Sequence, residues 1–456
     1  MNAAHAGSVS EALVSRALAI EPGALPAAVR ARAEELLLDF VGLCVAARRT
    51  DYVAALLCAS DAGGPCTAIG HPGGWSAEAA ALVNGTAAHG EDFDDTFEGG
   101  PVHAGAVILP AVLAACERFG RDGRAALAGV AAGVEALCRL STVIPKAIHK
   151  AGFHPTSVLG APAAALACAV ALGLDRKQAA DALGISGSLA SGIIEYLADG
   201  SWTKRLHPGW AAHSGLKSAR LAARGFSGPR AVFEGAHGLF HGFARSVEGD
   251  YEALTADFGE RWVMEAIAFK PYATGTMNQP YIDCALRLRN RGVRPEDVAD
   301  IVCETAEGYV HRLWEPLAAK QRPPNAYAAK FSAPFNIAVA LVTGGAGLSA
   351  FTEETARDER IRALASRVRY VVDPDNPYPR AYTGHLRVTL SDGRVIEERQ
   401  PHIRGGAREP LARAEIEAKF LANCEYGGWP RERAQRFLEA LPSFFDRPLD
   451  LAPLRG

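Results

Sequence analysis

Apolar residues recur at intervals of three and four from about residue 8 to 265. Leu36, Leu37, Phe40, Val41 and Leu43 form one such run, and Val107, Ile108, Val112 and Leu113 another. That period puts one side of each segment on a core and predicts helices. Ala-rich text bounded by Gly or Pro, such as ALGLDRKQAADALGISGSLASG, predicts many helices packed closely with short links. Near residue 270 the pattern changes. β-Branched content rises, and period-two alternation appears in DIVCETAEGYV, RVRYVVDP and LRVTLSDGRVIEER. In the last of these, Ser391-Asp392-Gly393 predicts a hairpin, because Asp-Gly supplies the positive φ angles of a tight turn. A helix is expected among these strands at about 326–343, AYAAKFSAPFNIAVALVT. After Gly405-Gly406 the helical pattern returns in PLARAEIEAKFLANCEYG and PRERAQRFLEALPS.

The expected fold is therefore mostly α: a large all-α helical domain begun by residues 1–268, a smaller inserted α+β domain at 269–405, and C-terminal helices at 406–456 that return to the helical domain. A chain of 456 residues is long enough for two cores of this kind. The most membrane-like stretch, VLGAPAAALACAVALGL at 158–174, is uncharged but short, Ala-rich and interrupted by Pro162, and a buried core helix is expected there.

Charge narrows the function. With 48 Lys+Arg against 51 Asp+Glu the net charge is -3, which gives no electrostatic footprint for nucleic acid or an anionic membrane. A small-molecule function is favoured. The nine cysteines include no CxxC pair and mostly sit in apolar helical text, as expected of reduced core thiols in a cytoplasmic protein. The segment MNAAHAGSVSEALVSRAL has no basic run leading into an apolar one, so no signal peptide is expected.

Four segments carry candidate chemistry. HGEDFDDTFEGGPVH, residues 89–103, places Asp92, Asp94 and Asp95 between His89 and His103. Carboxylates so close repel one another, so in a cleft one of them must hold a cation, pair with a base or take up a proton. A solvated acidic loop is the plain alternative, but apolar helical text on both sides favours an enclosed site. AGFHPTSVLG puts His154 before Pro155, where a helix begins and anions are favoured; a capping or core histidine is the competing reading. DGSWTKRLHPGWAAHSG offers Lys204, Arg205, His207 and His213, a set suited to a substrate with several carboxylates, against the alternative of a basic surface loop. FKPYATGTMNQPYIDC brings Lys270 and Tyr272 to the domain boundary, as a closing loop or as a plain link. DDTFE, residues 94–98, also matches the DDxxE pattern of all-α terpenoid synthases. The second metal-binding motif those enzymes need is not found, and the α+β domain counts against them.

In this order and spacing the segments resemble the MmgE/PrpD family, whose members include 2-methylcitrate dehydratases, cis-aconitate decarboxylases and iminodisuccinate epimerases. LLLDFVGLCVAAR, HGEDFDDT with a later histidine, GFHPTS, DGSWTKRLHPGWAAHSG, the KPY segment and KFSAPFNIAVAL carry the resemblance across nearly the whole chain. It implies that the α+β insert is a lid, that the site lies between helical domain and lid, and that the protein is a homodimer acting on a small polycarboxylate. No cofactor and no metal are implied. Carried over residue by residue, the catalytic set falls on Asp92, Thr96, His103, His154 and Lys204. Two departures stand out: one extra residue between Thr96 and His103, and Gln279 where the family often has a pocket histidine. A carboxamide bonds substrate but exchanges no proton near neutral pH, which disfavours decarboxylation.

The chemistry implied is proton movement at a carbon beside a carboxylate. His103, oriented by Asp92 and aided by Thr96, would act as acid or base, while His154, Lys204 and Arg205 hold carboxylates and developing charge. His207, Lys270, Tyr272 and Gln279 complete the expected substrate-binding set. Dehydration is the leading expectation, with epimerisation or isomerisation and decarboxylation as alternatives. A non-catalytic carboxylate-binding homologue is the reading from another class.

Overall fold

The computed structural model describes residues 7–378 and 380–456, so the first six residues of the segment expected at 1–268 lie outside it. The described chain divides into two compact units. One comprises residues 7–90, 94–267 and 413–456; the other comprises 91–93 and 268–412. The chain is 57% helical and its sheets are small, which makes the protein mostly α.

The first unit is built from long helices with small residues at their crossings. Helix Pro155–Leu172 lies in its interior and packs against Gly123–Val143, Arg176–Leu189 and Thr203–Ala222. This helix and Gly123–Val143 are both long and apolar enough to cross a membrane, but 89% and 94% of their apolar windows are buried within the protein. Glycine permits the closest crossings. A methyl added at Gly85 in helix Ala77–Gly90 would come within 2.7 Å of the Gly209 Cα in helix Thr203–Ala222. The two backbones therefore touch, which fixes the helix that carries His89 in its last turn against the one that carries Lys204 in its first.

Helix Arg413–Tyr426 packs along Ala27–Ala47. Phe420 covers Gly42, and Lys419 Nζ meets Asp39 Oδ1 at 2.7 Å with both side chains buried. The helical unit also contains the short strands Ala62–Cys66 and Thr96–Phe97, which helical periodicity did not anticipate; the first is AGGPC, whose Gly and Pro disfavour a helix.

The second unit holds a four-stranded sheet in the order Val368–Val372, Val298–Thr305, Gly384–Leu390, Val395–Gln400. The first pair is parallel and the other two are antiparallel. The hairpin forms where Asp-Gly predicts it, with Gly393 at φ 87°. Helix Gln279–Asn290 packs on the sheet and on helix Ala333–Thr343. The single helix expected at 326–343 is two, Ala326–Ala329 and Ala333–Thr343. Ser332 breaks it by accepting the Phe335 N–H as N-cap ahead of Pro334.

Candidate active site

Four buried histidines meet in the helical unit. His89 stands at the end of helix Ala77–Gly90, His103 in the loop before helix Gly105–Phe119, His154 at the N-cap of Pro155–Leu172, and His207 in the first turns of Thr203–Ala222. Their ring centroids lie 4.7 Å apart for His89 and His103, 5.9 Å for His89 and His154, and 5.2 Å for His154 and His207. Tyr196 lies edge-on to the last two.

Each ring of the first three has its Nδ1 held. His89 Nδ1 is 2.7 Å from Asp94 Oδ2, and His103 Nδ1 is 2.7 Å from the Asp95 carbonyl and 3.4 Å from Asp94 Oδ1. Because a carbonyl only accepts, His103 Nδ1 carries a proton, which leaves Nε2 as the nitrogen free to gain or lose one. His154 Nδ1 is 3.1 Å from His207 Nδ1. His154 makes no side-chain cap despite its N-cap position; its backbone N–H donates to the Gly192 carbonyl.

Burial dominates the electrostatics. It lowers His89 to about 4, against the pull of Asp94, and lowers His207 to about 4 and His154 well below the usual imidazole range. The charge of Lys204 pushes all three the same way, which places its ammonium near the cluster. Burial opposes ionisation of Asp94, but His103 and His89 outweigh it and hold that carboxyl well below its ordinary value. Asp95 is pushed up to about 8 by burial, Asp94 and Asp39, against the N–H groups of Ala104 and Gly105, which donate to its two oxygens at 2.9 Å. Asp95 thus anchors the start of helix Gly105–Phe119 while its carbonyl orients His103. Both aspartates of DDTFE are buried and bonded in this way, which leaves them unsuited to the open magnesium site of a terpenoid synthase.

Thr96 is buried in the strand that precedes the loop to His103. The loop turns tightly: Phe97 N donates to the Val102 carbonyl, and Gly100 lies where a methyl would come within 2.7 Å of Ser141 Cβ. Lys204 and Arg205 are partly exposed. The Arg205 guanidinium lies over the Tyr52 ring at 4.4 Å from its centroid.

The second unit holds the remaining expected residues. Asp92 is at φ 57°, a left-handed conformation that aspartate tolerates better than most residues, and its Oδ1 and carbonyl each lie 3.0 Å from Lys270 Nζ. Lys330 makes the equivalent pair with Glu91 at 2.7 Å. Tyr272 donates to Asp283 Oδ1 at 2.6 Å. Gln279 is fully buried; its amide donates to the Tyr272 and Thr274 carbonyls, and its Oε1 has no hydrogen-bond partner.

The structure thus joins His103, His154 and His207 in one cluster with Thr96 and Lys204 on the same unit, and it joins Asp92 to Lys270. It corrects the expected orienter of His103, which is the Asp95 carbonyl with Asp94. His89 and Asp94 belong to the first candidate segment without a catalytic role expected of them, and Lys330 is not singled out by the sequence. The five-residue spacing from His89 to Asp94 was the available signal for the first pair.

Comparison with known proteins places the chain. The MmgE/PrpD N-terminal domain matches residues 11–251 and the MmgE/PrpD C-terminal domain matches 272–441. The chain belongs to the MmgE/PrpD family. It is 28% identical over 463 residues to a cis-aconitate decarboxylase of Aspergillus terreus, covering 94% of this chain and 91% of that one. It is 29% identical over 356 residues to the cis-aconitate decarboxylase of Mus musculus, covering 76% and 71%. A 2-methylcitrate dehydratase-like protein of Aspergillus oryzae is 29% identical over 165 residues, covering 33% and 32%.

Proposed function

We propose that this protein moves a proton at the carbon beside a carboxylate of a small di- or tricarboxylate, with His103 Nε2 as the acid or base. The chain is an enzyme, a lyase or isomerase of the MmgE/PrpD family. The observation that carries the proposal is the bond from His103 Nδ1 to the Asp95 carbonyl, which fixes the ring's tautomer and leaves Nε2 as the nitrogen that exchanges a proton.

Around it, Lys204 supplies positive charge for substrate carboxylates and for the enolate-like charge that develops as the proton moves. His154, held by His207, presents a neutral ring able to donate or accept a hydrogen bond. His89 and Asp94 hold the neighbouring space. Thr96 adds a hydroxyl in the strand that leads into the His103 loop. In the other unit Asp92, Lys270 and Tyr272 remain the proposed contributors to catalysis and binding. Homodimeric assembly and a cytoplasmic location belong to this proposal.

Loss of water from a 2-methylcitrate-like substrate is the first reaction to test, because Gln279 offers no exchangeable proton near neutral pH. Loss of CO2 from cis-aconitate is the second reading, supported by the names of relatives that match across most of their length. One experiment separates these outcomes: the purified chain is incubated in D2O with 2-methylcitrate, citrate, cis-aconitate and iminodisuccinate and followed by NMR. Dehydration, decarboxylation and epimerisation give different products: decarboxylation and epimerisation add deuterium at the carbon beside a carboxylate, whereas dehydration removes a proton there with the hydroxyl. No deuterium and no product from any of the four would overturn the proposal.

A further inference from the structure

The histidine cluster has a property that proton transfer does not use. One ring nitrogen from each of His89, His103 and His154 lies within 4.8 Å of the others, and all three residues are buried. The Nδ1 atoms are engaged by Asp94, the Asp95 carbonyl and His207, so the nitrogen left on each ring is Nε2. His89 Nε2 is a buried atom with no hydrogen-bond partner, on a residue only 1% exposed. A carboxylate or carbonyl behind each imidazole is the outer arrangement that orients histidines toward a metal and increases their basicity; here Asp94 and Asp95 supply it for two of the three rings.

We propose that His89, His103 and His154 bind a single divalent transition-metal ion of the zinc type in a tetrahedral site whose fourth position is open to water or to a substrate carboxylate. Three imidazoles select zinc, cobalt, nickel or copper over magnesium and calcium, which take oxygen ligands. Zn–N bonds of about 2.0–2.1 Å bring tetrahedral ligands to within about 3.4 Å of one another, so the rings must close in by an ångström or so. The soft χ2 torsion of histidine allows such a movement. An ion there takes the Nε2 lone pair of His103, so it inhibits turnover. That consequence rests on the proton-transfer reading, whereas binding itself does not.

The test is a Co2+ titration of the purified full-length protein read by visible absorption, with Zn2+ as competitor and Mg2+ as control. The expected result is one Co2+ per chain with the strong d–d bands of a tetrahedral nitrogen site, displaced by Zn2+ and untouched by Mg2+. His89→Ala abolishes the bands, and Asp94→Asn weakens Zn2+ binding about 10- to 100-fold by removing the group behind His89. Cys58→Ser, which removes the exposed thiol, and His237→Ala/His241→Ala, which removes the exposed histidine pair, leave the bands unchanged. The wild-type spectrum decides even where His89→Ala fails to fold. Weak octahedral bands, a thiolate charge-transfer band or no binding at micromolar Co2+ each overturn the site. Tetrahedral binding combined with full turnover in saturating Zn2+ upholds the site and removes His103 from the chemistry.

Discussion

His103 Nδ1 lies 2.7 Å from the carbonyl oxygen of Asp95. A backbone acceptor at that distance separates the two nitrogens of one ring into a positioning side and a reacting side. His103→Asn retains an amide N–H near Nδ1 and has nothing in place of Nε2. The Asn variant is expected to fold like the parent, with turnover of any substrate found by NMR reduced about 10²- to 10⁴-fold. Single-turnover rates and far-UV circular dichroism check the two halves of this expectation; near-normal turnover would remove His103 from the mechanism.

Gly100 is the next test, because the loop it belongs to sets where His103 stands. A methyl at this position overlaps Ser141 Oγ and Cβ. Gly100→Ala should lower both the melting temperature and kcat, and pairing it with Ser141→Gly should restore much of both. Failure of the pair to recover would mean that the loop is not held by this contact.

The buried pair of Lys270 and Asp92 makes a prediction about stability. Removing one partner of a buried ion pair costs about 3–5 kcal/mol, more than removing both. Lys270→Met should therefore destabilise the protein by about that amount in urea unfolding, and adding Asp92→Asn should recover part of the loss, since asparagine also accepts the left-handed backbone at this position. Additive losses would show that the two side chains are not coupled.

Asp283 gives a pH dependence. Burial pushes its carboxyl up to about 6, against the hydrogen bond from Tyr272, whereas its ordinary value is 3.8. Between about pH 4 and 6 the folded state binds more protons at this site than the unfolded state does, so stability falls as pH rises through that window, by up to about 1.4 kcal/mol per unit. Asp283→Asn removes this contribution. The difference in unfolding free energy between parent and variant, measured from pH 4 to 7, should change with that sign and level off above pH 6; a flat difference would refute it.

What could be read from the sequence depended on how local the cause was. The hairpin at Ser391-Asp392-Gly393 and the buried helix beginning at Pro155 are decided by residues within a few positions of one another, and both were legible. The break at Ser332 was missed because the apolar pattern runs across it, while the cap and Pro334 that interrupt it are single residues. His103 and His154 were identified by motif. Their partners were not, because the Asp95 carbonyl has no side-chain signature and His207 meets His154 only when two helices cross. Gln279 is expected to contact substrate, and its amide also ties down the turn at 272–274 through backbone carbonyls, a role residue type alone does not reveal.

The return of helix Arg413–Tyr426 to Ala27–Ala47 also bears on how the protein is made. Asp39 and Gly42 acquire Lys419 and Phe420 only after residues 268–412 have been synthesised. At about 5–20 residues per second a ribosome needs on the order of ten seconds or more for that stretch. Throughout that delay the helical unit is unfinished, with a groove that its own last helices will fill. A chain released before residue 413 would keep that groove exposed, so the C-terminal helices are the part of the sequence that closes the helical unit.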